Sequence, residues 1–390
     1  QAEADRVWCG VERCLFGNGK ELHFKKLMDF DTIGGKSNKN GARFDLDAMH
    51  VNWLGLSLKC YLPKSENSLS YVWESLKGKI SYCNIKRLMF SSGWRYYAEI
   101  VVSGAAPTRV LIGTSTMGID PGVSTIAGVS EDACVLEELA PNAIQYEKKI
   151  QKISQSMDRS RRISNPNKYN EDGTINRSNR DPWKYSKNYV KMCRLLKSLY
   201  RKKHAYIVDS HRKLCNKLIT IARYFPVEKM HFQALQKKAT ETKRQEKKTE
   251  VNQKDGTVKV IQKYKRKKRF GRSINRRAPA RFLLELKRKA EAIGGVYAEV
   301  DTKEFKASQY NHVTDTYEKI PLSQREKEIG KRKVQRDLYS AFLIRNADLD
   351  FKHPDREKCE YEFEHFANLQ DQLILKMKES GLSMRQCFGF

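Results

Sequence analysis

The sequence predicts an α/β chain, a mixed sheet flanked by helices and preceded by a smaller antiparallel β unit. Three observations predict it. Period-two alternation of apolar and polar residues runs through residues 43–110. From about residue 110, short apolar strands are followed by helical patterns and then by strand and helix in turn. Three carboxylates, Asp120, Glu228 and Asp337, fall at the ends of elements in that second region.

The elements follow in order. Residues 1–20 read as the end of a helix, with Val7, Val11 and Leu15 at helical spacing. Leu56, Leu58, Cys60 and Leu62 alternate with Ser57, Lys59 and Tyr61, and Tyr96, Ala98, Ile100 and Val102 alternate with Arg95, Tyr97 and Glu99. Gly, Pro and Ser breaks between such runs predict a half-buried antiparallel sheet, a small β-barrel or sandwich. Met117–Val123, Thr125–Val129 and Ala133–Leu139 read as three strands. Residues 142–160 read as a helix, 163–182 as a loop and 183–222 as a long helix. Phe225–Met230 is a short strand, 277–293 a helix with Pro279 in its first turn, Val296–Val300 a strand and Val334–Ile344 a helix. Met117, Phe282 and Leu286 are expected in the core. Three strands, helices, strand, helix, strand, helix is the order of a ribonuclease H-like fold.

Composition narrows the function. The 390 residues hold 75 Lys and Arg against 46 Asp and Glu, a formal net charge of +29. That excess argues against an ordinary metabolic enzyme and points to a polyanion, most often nucleic acid. Residues 237–281 alone hold 18 Lys and Arg against 4 Asp and Glu, about half the net charge in an eighth of the length. Such a run reads as a solvated, flexible insertion, which is compatible with phosphate binding. Residues 348–371 are acidic by contrast. The nine cysteines are scattered, with no CxxC pair, which argues for reduced intracellular thiols. No apolar stretch is long enough to span a bilayer, so a cytoplasmic, nucleoid-associated location and no membrane partner are expected. The chain starts at Gln1, and N-terminal sequence is expected to precede it.

Each carboxylate has a bland reading when taken alone. Asp120 sits in Gly118-Ile119-Asp120-Pro121-Gly122, a motif shared by structural turns and actin-like ATPase strands. Glu228 ends the apolar run Phe225–Val227, where an acid is commonly a strand terminus. Asp337 lies near a helix start, where the helix dipole favours an acid. Together they fall on the first strand, the fourth strand and the last helix, which converge in a ribonuclease H-like sheet. Three converging carboxylates suit two Mg²⁺ ions about 4 Å apart, one activating water and one stabilising the leaving oxygen.

With these residues in place, the sequence resembles the TnpB family, RNA-guided nucleases of insertion sequences related to type V CRISPR effectors. The family's RuvC-like domain is split in three, and the pieces resemble Gly118–Val129, Val227–Leu235 and Val334–Leu343 here. Pro279–Gly295 and Val300–His312 match further, and the sheet of residues 43–110 resembles the wedge domain. The resemblance implies that Asp120, Glu228 and Asp337 are the metal ligands and catalytic residues. It implies an end of recognition helices and wedge β-barrel at 1–110, a nuclease domain at 111–305 with a basic insertion at 237–276, a target-binding loop at 306–333, and a third nuclease piece with tail at 334–390. The family's first wedge strand and most of its helical recognition lobe lie outside the chain. The loop departs from the family: the window Lys306–Lys333 has no cysteine where zinc pairs are usual, and His312 is its only soft ligand, so zinc is not expected. Tyr339 and Ser340 also replace the usual neighbours of the third acid.

The implied activity is RNA-guided, metal-dependent DNA cleavage, with a guide RNA encoded near the element and target DNA as partners. Lys263, Lys265, Arg266, Lys267, Lys268 and Arg269 are candidate phosphate contacts, with Arg272, Arg276 and Arg277 continuing the surface. Arg95, beside Tyr97 on the polar face of its strand, is a further candidate, and each of these also reads as an ordinary surface residue. The alternatives are a nuclease-inactive RNA-guided binding protein acting as repressor or transposition regulator, an actin-like ATPase and an unguided DNA-cutting transposase. No second Asp-x-Gly phosphate loop at a strand end supports the ATPase.

Overall fold

The computed structural model describes residues 2–17, 19, 21–24, 30–171, 173–236, 244–252, 258–264, 270–321 and 323–383. They form two compact units, residues 1–109 with 148–203, and residues 110–147 with 204–390.

The first unit begins with α1 (Ala2–Leu15) and holds two three-stranded antiparallel sheets. One orders β1 (Thr32–Gly34), β5 (Ile80–Phe90) and β6 (Gly93–Val102), and the other β2 (Arg43–Asp45), β3 (His50–Trp53) and β4 (Leu56–Lys59). With α2 (Glu66–Leu76) they share a core of Phe44, Val51, Leu76 and Cys83, with Ile85, Ile100 and Val102 packed against it. The barrel expected from the alternation does not close: among the described residues β6 pairs only with β5, and β4 only with β3. Alternation also overstated burial at β4, where Leu56 and Leu58 are exposed.

The second unit is built on a mixed sheet. Its strands are β7 (Ser115–Thr116), β8 (Gly118–Pro121), β9 (Thr125–Val129), β10 (Cys134–Glu138), β11 (Ala222–Glu228) and β14 (Val296–Val300). They order β10-β9-β8-β11-β14, with β7 also on β11. The β10–β9 and β9–β8 pairs are antiparallel, while β11 runs parallel to β7, β8 and β14. Helices α3 (Ala143–Ser164) and α4 (Lys187–Ile221) contribute residues to both units. The basic insertion, read as a loop, contains a hairpin of β12 (Arg244–Asn252) and β13 (Val258–Tyr264), after the short helix α5 (Phe232–Gln236). Its β-branched Thr249, Val251, Val258, Val260 and Ile261 favour extended backbone.

Both faces of the mixed sheet are covered. On one, Met117, Ile119, Phe225 and Val227 pack with Leu214 and Leu218 of α4 and with Phe282 and Leu286 of α7 (Pro279–Ala292), which follows α6 (Gly271–Arg277). The expected core residues Met117, Phe282 and Leu286 are fully buried there. On the other, Ala127, Val129 and Val300 pack with Leu338 and Phe342. Those two lie on α9 (Arg336–Arg345), which is reached through α8 (Thr302–Phe305), a hairpin of β15 (Tyr310–Asn311) and β16 (Thr316–Tyr317), and a hairpin of β17 (Glu326–Ile329) and β18 (Arg332–Gln335). The last helix expected from Val334 thus begins two residues later. Gln335 is extended, and its side chain caps α9 by accepting from the Leu338 N–H. The terminal helix α10 (Arg356–Glu379) adds Phe363 and Phe366.

The cysteine-free window is anchored by an aromatic cluster. The buried His312 ring lies 4.7 Å from Phe363, and its Nδ1 is 2.8 Å from the Tyr339 hydroxyl. Buried Lys327 donates to the Tyr310 carbonyl at 2.6 Å and lies over the Tyr339 ring. Burial lowers its pKa to about 8. No helix among the described residues is long and apolar enough to cross a membrane.

Candidate metal and nucleic-acid site

Strand alternation places the first two acids. Ile119 on β8 and Val227 on β11 point into the α4–α7 core, and they are register partners. Their successors Asp120 and Glu228 therefore point to the opposite face, the one α9 covers. Asp337 is the second residue of α9. The helix comes very close at Gly118, where an added Cβ would lie 2.1 Å from the Ala341 carbonyl oxygen. A glycine in β8 is thus what lets the α9 N-terminus reach the two strand ends.

The three acids share one cavity of about 820 Å³. Burial first, then the charges of Glu228 and Asp337, push Asp120 well above the usual carboxylate range. Asp120 and Glu228 are hydrogen-bonded to each other. Burial also raises Glu228, while its hydrogen bonds with Asp120 and the Thr302 hydroxyl favour its charged form.

Asp337 is engaged differently. Arg336 Nη2 lies 3.0 Å from its Oδ1, and Arg325 Nη1 lies 3.4 Å from its Oδ2. Among the described residues, no group of three His, Cys, Asp or Glu stands in a metal-holding geometry. The donor set still suits a hard dication, because all three groups offer carboxylate oxygens and Asp120 and Glu228 repel each other. The rest of the cavity has an apolar wall of Met230, Phe270 and Ile320 and the cations Lys319 and Arg325.

The two arginines, Thr302 and this wall were not singled out from sequence. Arg336 directly precedes Asp337 and was visible as a neighbour. Phe270 precedes α6, and Ile320 and Arg325 lie on the connection between β16 and β17, neither segment with a periodic signal.

The basic candidates separate. Arg272 is exposed on α6. Arg276 is 2.8 Å from Glu147, and Arg277 pairs with Glu138, both pairs largely shielded from solvent. Arg95 is exposed and its guanidinium lies 4.6 Å from the centre of the Phe90 ring. Lys263 belongs to β13 by its backbone alone, and Lys265, Arg266, Lys267, Lys268 and Arg269 lie outside the described residues.

No protein-family model matches the sequence. No curated protein matches it either. Among solved structures, the chain is similar to a Cas12f1–sgRNA–target DNA complex at 12% identity and a TM-score of 0.43, over 73% of this chain. It is also similar to a CRISPR–Cas12f ternary complex at 12% identity and a TM-score of 0.31, over 75% of this chain. The chain spans about half of those chains, 48% and 49%.

Proposed function

We propose that the chain is an RNA-guided DNA endonuclease of the TnpB kind, with a RuvC-like, ribonuclease H-like nuclease domain in its second unit. The observation that carries the nuclease reading is the meeting of Asp120, Glu228 and Asp337 in one cavity that Lys319 and Arg325 also line. RNA guidance rests on the sequence resemblance and on the +29 charge.

In this reading Asp120, Glu228 and Asp337 would hold Mg²⁺, which when bound would supply Lewis acidity and a lowered water pKa for phosphodiester hydrolysis. The chain's own groups do the rest. Lys319 and Arg325 offset phosphate charge at the cavity. Met230, Phe270 and Ile320 give an apolar surface against which a neighbouring base or sugar excludes water. Arg272 belongs to the surface that meets the nucleic-acid backbone.

The test is to express the protein with its native flanking DNA, sequence the copurifying RNA, and supply a matching duplex with Mg²⁺. One dominant RNA, and cutting that Asp120→Asn abolishes without loss of RNA binding, is expected. Random RNA lost at high salt, with guide-independent cutting, would overturn the guided reading and favour an unguided nuclease.

The ion pairs on Asp337 favour a second reading, a guided DNA-binding protein that does not cut. Specific target binding with no cleavage at any Mg²⁺ or Mn²⁺ concentration would select it.

A further inference from the structure

We propose that residues 148–203 of the first unit form a binding face for the phosphate backbone of a paired nucleic acid. They comprise most of α3, the loop after it and the first half of α4. This role rests on the nucleic-acid reading above and not on the carboxylate cavity, so binding without divalent metal tests it alone.

The segment holds 17 Lys and Arg against 4 Asp and Glu. Together with residues 237–281 it accounts for nearly all of the +29 charge. Some of these cations are already engaged. Arg161 and Arg162 lie 2.9 Å and 2.8 Å from the carboxylate of Asp158. Lys197 pairs with Asp31 and lies over the Trp94 ring, and Arg201 lies over the Phe90 ring. Others stand free in two rows. Lys148, Lys152 and Arg159 fall at i, i+4 and i+11 of α3, and Lys187, Lys191 and Arg194 at i, i+4 and i+7 of α4, so each set shares one helix face. All six are exposed, and none has an ion-pair partner among the described residues. Lys148 with Lys152, and Lys187 with Lys191, are like charges at a spacing that destabilises a helix unless an anion offsets them.

Residues 165–186 join the two helices. A connection of this length with little regular structure is usually functional or disordered, and this one is held from within. Buried Asn165 donates to the Arg161 and Lys184 carbonyls, each at 2.8 Å, and accepts from the Lys184 N–H at 2.7 Å, which ties the two ends together. Buried Lys168 donates to the Asn179 carbonyl at 3.0 Å and lies 5.2 Å from the centre of the Trp183 ring. Arg177 and Arg180 are exposed on this frame, also without an ion-pair partner among the described residues. The loop is therefore ordered before any ligand arrives, which favours binding.

The three α3 cations span about 17 Å at about 1.5 Å per residue. That is the axial run of about five phosphates of one duplex strand. Single strands are held instead by stacking bases on aromatic rings. The face of α3 that carries Lys148, Lys152 and Arg159 has no aromatic residue, and Tyr185, just before α4, is already stacked on Tyr189 at 4.6 Å. A rigid row of cations without stacking platforms fits a backbone whose bases are paired inward.

The full chain, freed of copurifying RNA at high salt, is titrated in EDTA at several KCl concentrations. The probes are an RNA–DNA hybrid of about 20 base pairs, duplex RNA, duplex DNA and single-stranded oligo-dT. The triple variant Lys152→Gln/Arg159→Gln/Lys191→Gln should lower the slope of log K against log salt by about 2–3, and weaken binding of the paired probes by roughly 100-fold or more at about 0.1 M KCl. Each single replacement should lower the slope by about one, with the urea midpoint unchanged. The control Lys64→Gln/Lys77→Gln/Lys79→Gln removes the same charge from exposed positions elsewhere in the first unit and should change the slope by less than about one. A wild-type slope in the triple variant, or an equal loss in the control, would overturn the proposal. So would a loss confined to oligo-dT, which would make the face a single-strand track. A wild-type protein that binds none of the probes would refute the nucleic-acid reading and this role with it.

Discussion

Replacing Gly118 with Ala tests whether the approach of α9 to β8 builds the carboxylate site. The new Cβ would stand 2.1 Å from the Ala341 oxygen and 2.4 Å from the Arg345 nitrogen. Both are main-chain atoms and cannot rotate away. Carbon–oxygen contacts settle near 3.4 Å, so α9 must retreat by roughly 1.3 Å. Such overpacking costs about 1–3 kcal/mol. Ala341 lies one turn beyond Asp337, and the helix moves as a unit, so Asp337 is drawn about as far from Asp120 and Glu228. A displacement of about 1 Å at a catalytic group costs on the order of 100-fold in rate. Urea unfolding should show a lower midpoint at unchanged slope, and Mg²⁺-dependent cleavage of a matched target should fall by that factor. Gly271→Ala, whose added Cβ meets only ordinary contact at 3.5 Å, is the control and should change neither. A Gly118→Ala protein with wild-type stability and full cleavage would refute the close approach and the argument built on it.

Asp120→Asn should lower cleavage by about 100-fold or more. It should also raise stability, by on the order of 1 kcal/mol, because it removes a group whose ionisation is penalised by burial and by the charges of Glu228 and Asp337; a lower unfolding midpoint would contradict this. His211 and His312 are both depressed by burial, to about 4, so stability from keeping them neutral is complete above pH 6.5 and is lost as pH falls toward 4. Each should cost about 2 kcal/mol at pH 5 relative to pH 7. His312→Asn should remove one such share of the pH dependence, read as the difference in urea midpoints, and an unchanged dependence would sink the assignment. Arg272→Ala should weaken nucleic-acid binding uniformly and reduce the salt slope by about one. Arg276→Ala should instead lower stability, by about 2 kcal/mol, through the loss of its pair with Glu147. EDTA should stop cleavage while leaving the unfolding midpoint in place, since the cluster around Tyr310 and His312 is built from side-chain packing; a large drop in midpoint would reveal a structural metal.

The second unit was legible because its strands are buried on both faces. Thr125–Val129 reads as a continuous run since both helical layers cover it, and every residue of it is buried. Helix boundaries near glycine and proline were also legible, as at Pro279. The first unit misled because alternation reports which residues would be buried by a partner layer, whether or not that layer is present. Leu56, Leu58 and Tyr96 carry the pattern of a closed barrel, but among the described residues β4 and β6 are sheet edges and these side chains are exposed.

For the carboxylates, the sequence placed Asp120 and Glu228 at the ends of two strands and Asp337 near a helix start, and the structure puts all three on one cavity. What the sequence did not display is the state of the third acid. Its charge is offset by Arg336, its chain neighbour, and by Arg325, twelve residues upstream across the β17–β18 hairpin. A carboxylate bonded to two guanidinium groups is in place but engaged, and binding a dication there must compete with both. That competition gives the arginines a measurable consequence distinct from catalysis. Removing the longer contact with Arg325→Ala should tighten Mn²⁺ binding, followed by electron paramagnetic resonance of the free ion in the absence of nucleic acid. Unchanged or weaker Mn²⁺ binding would show that the pairs do not hold Asp337 back, and that the carboxylate is already arranged for the ion.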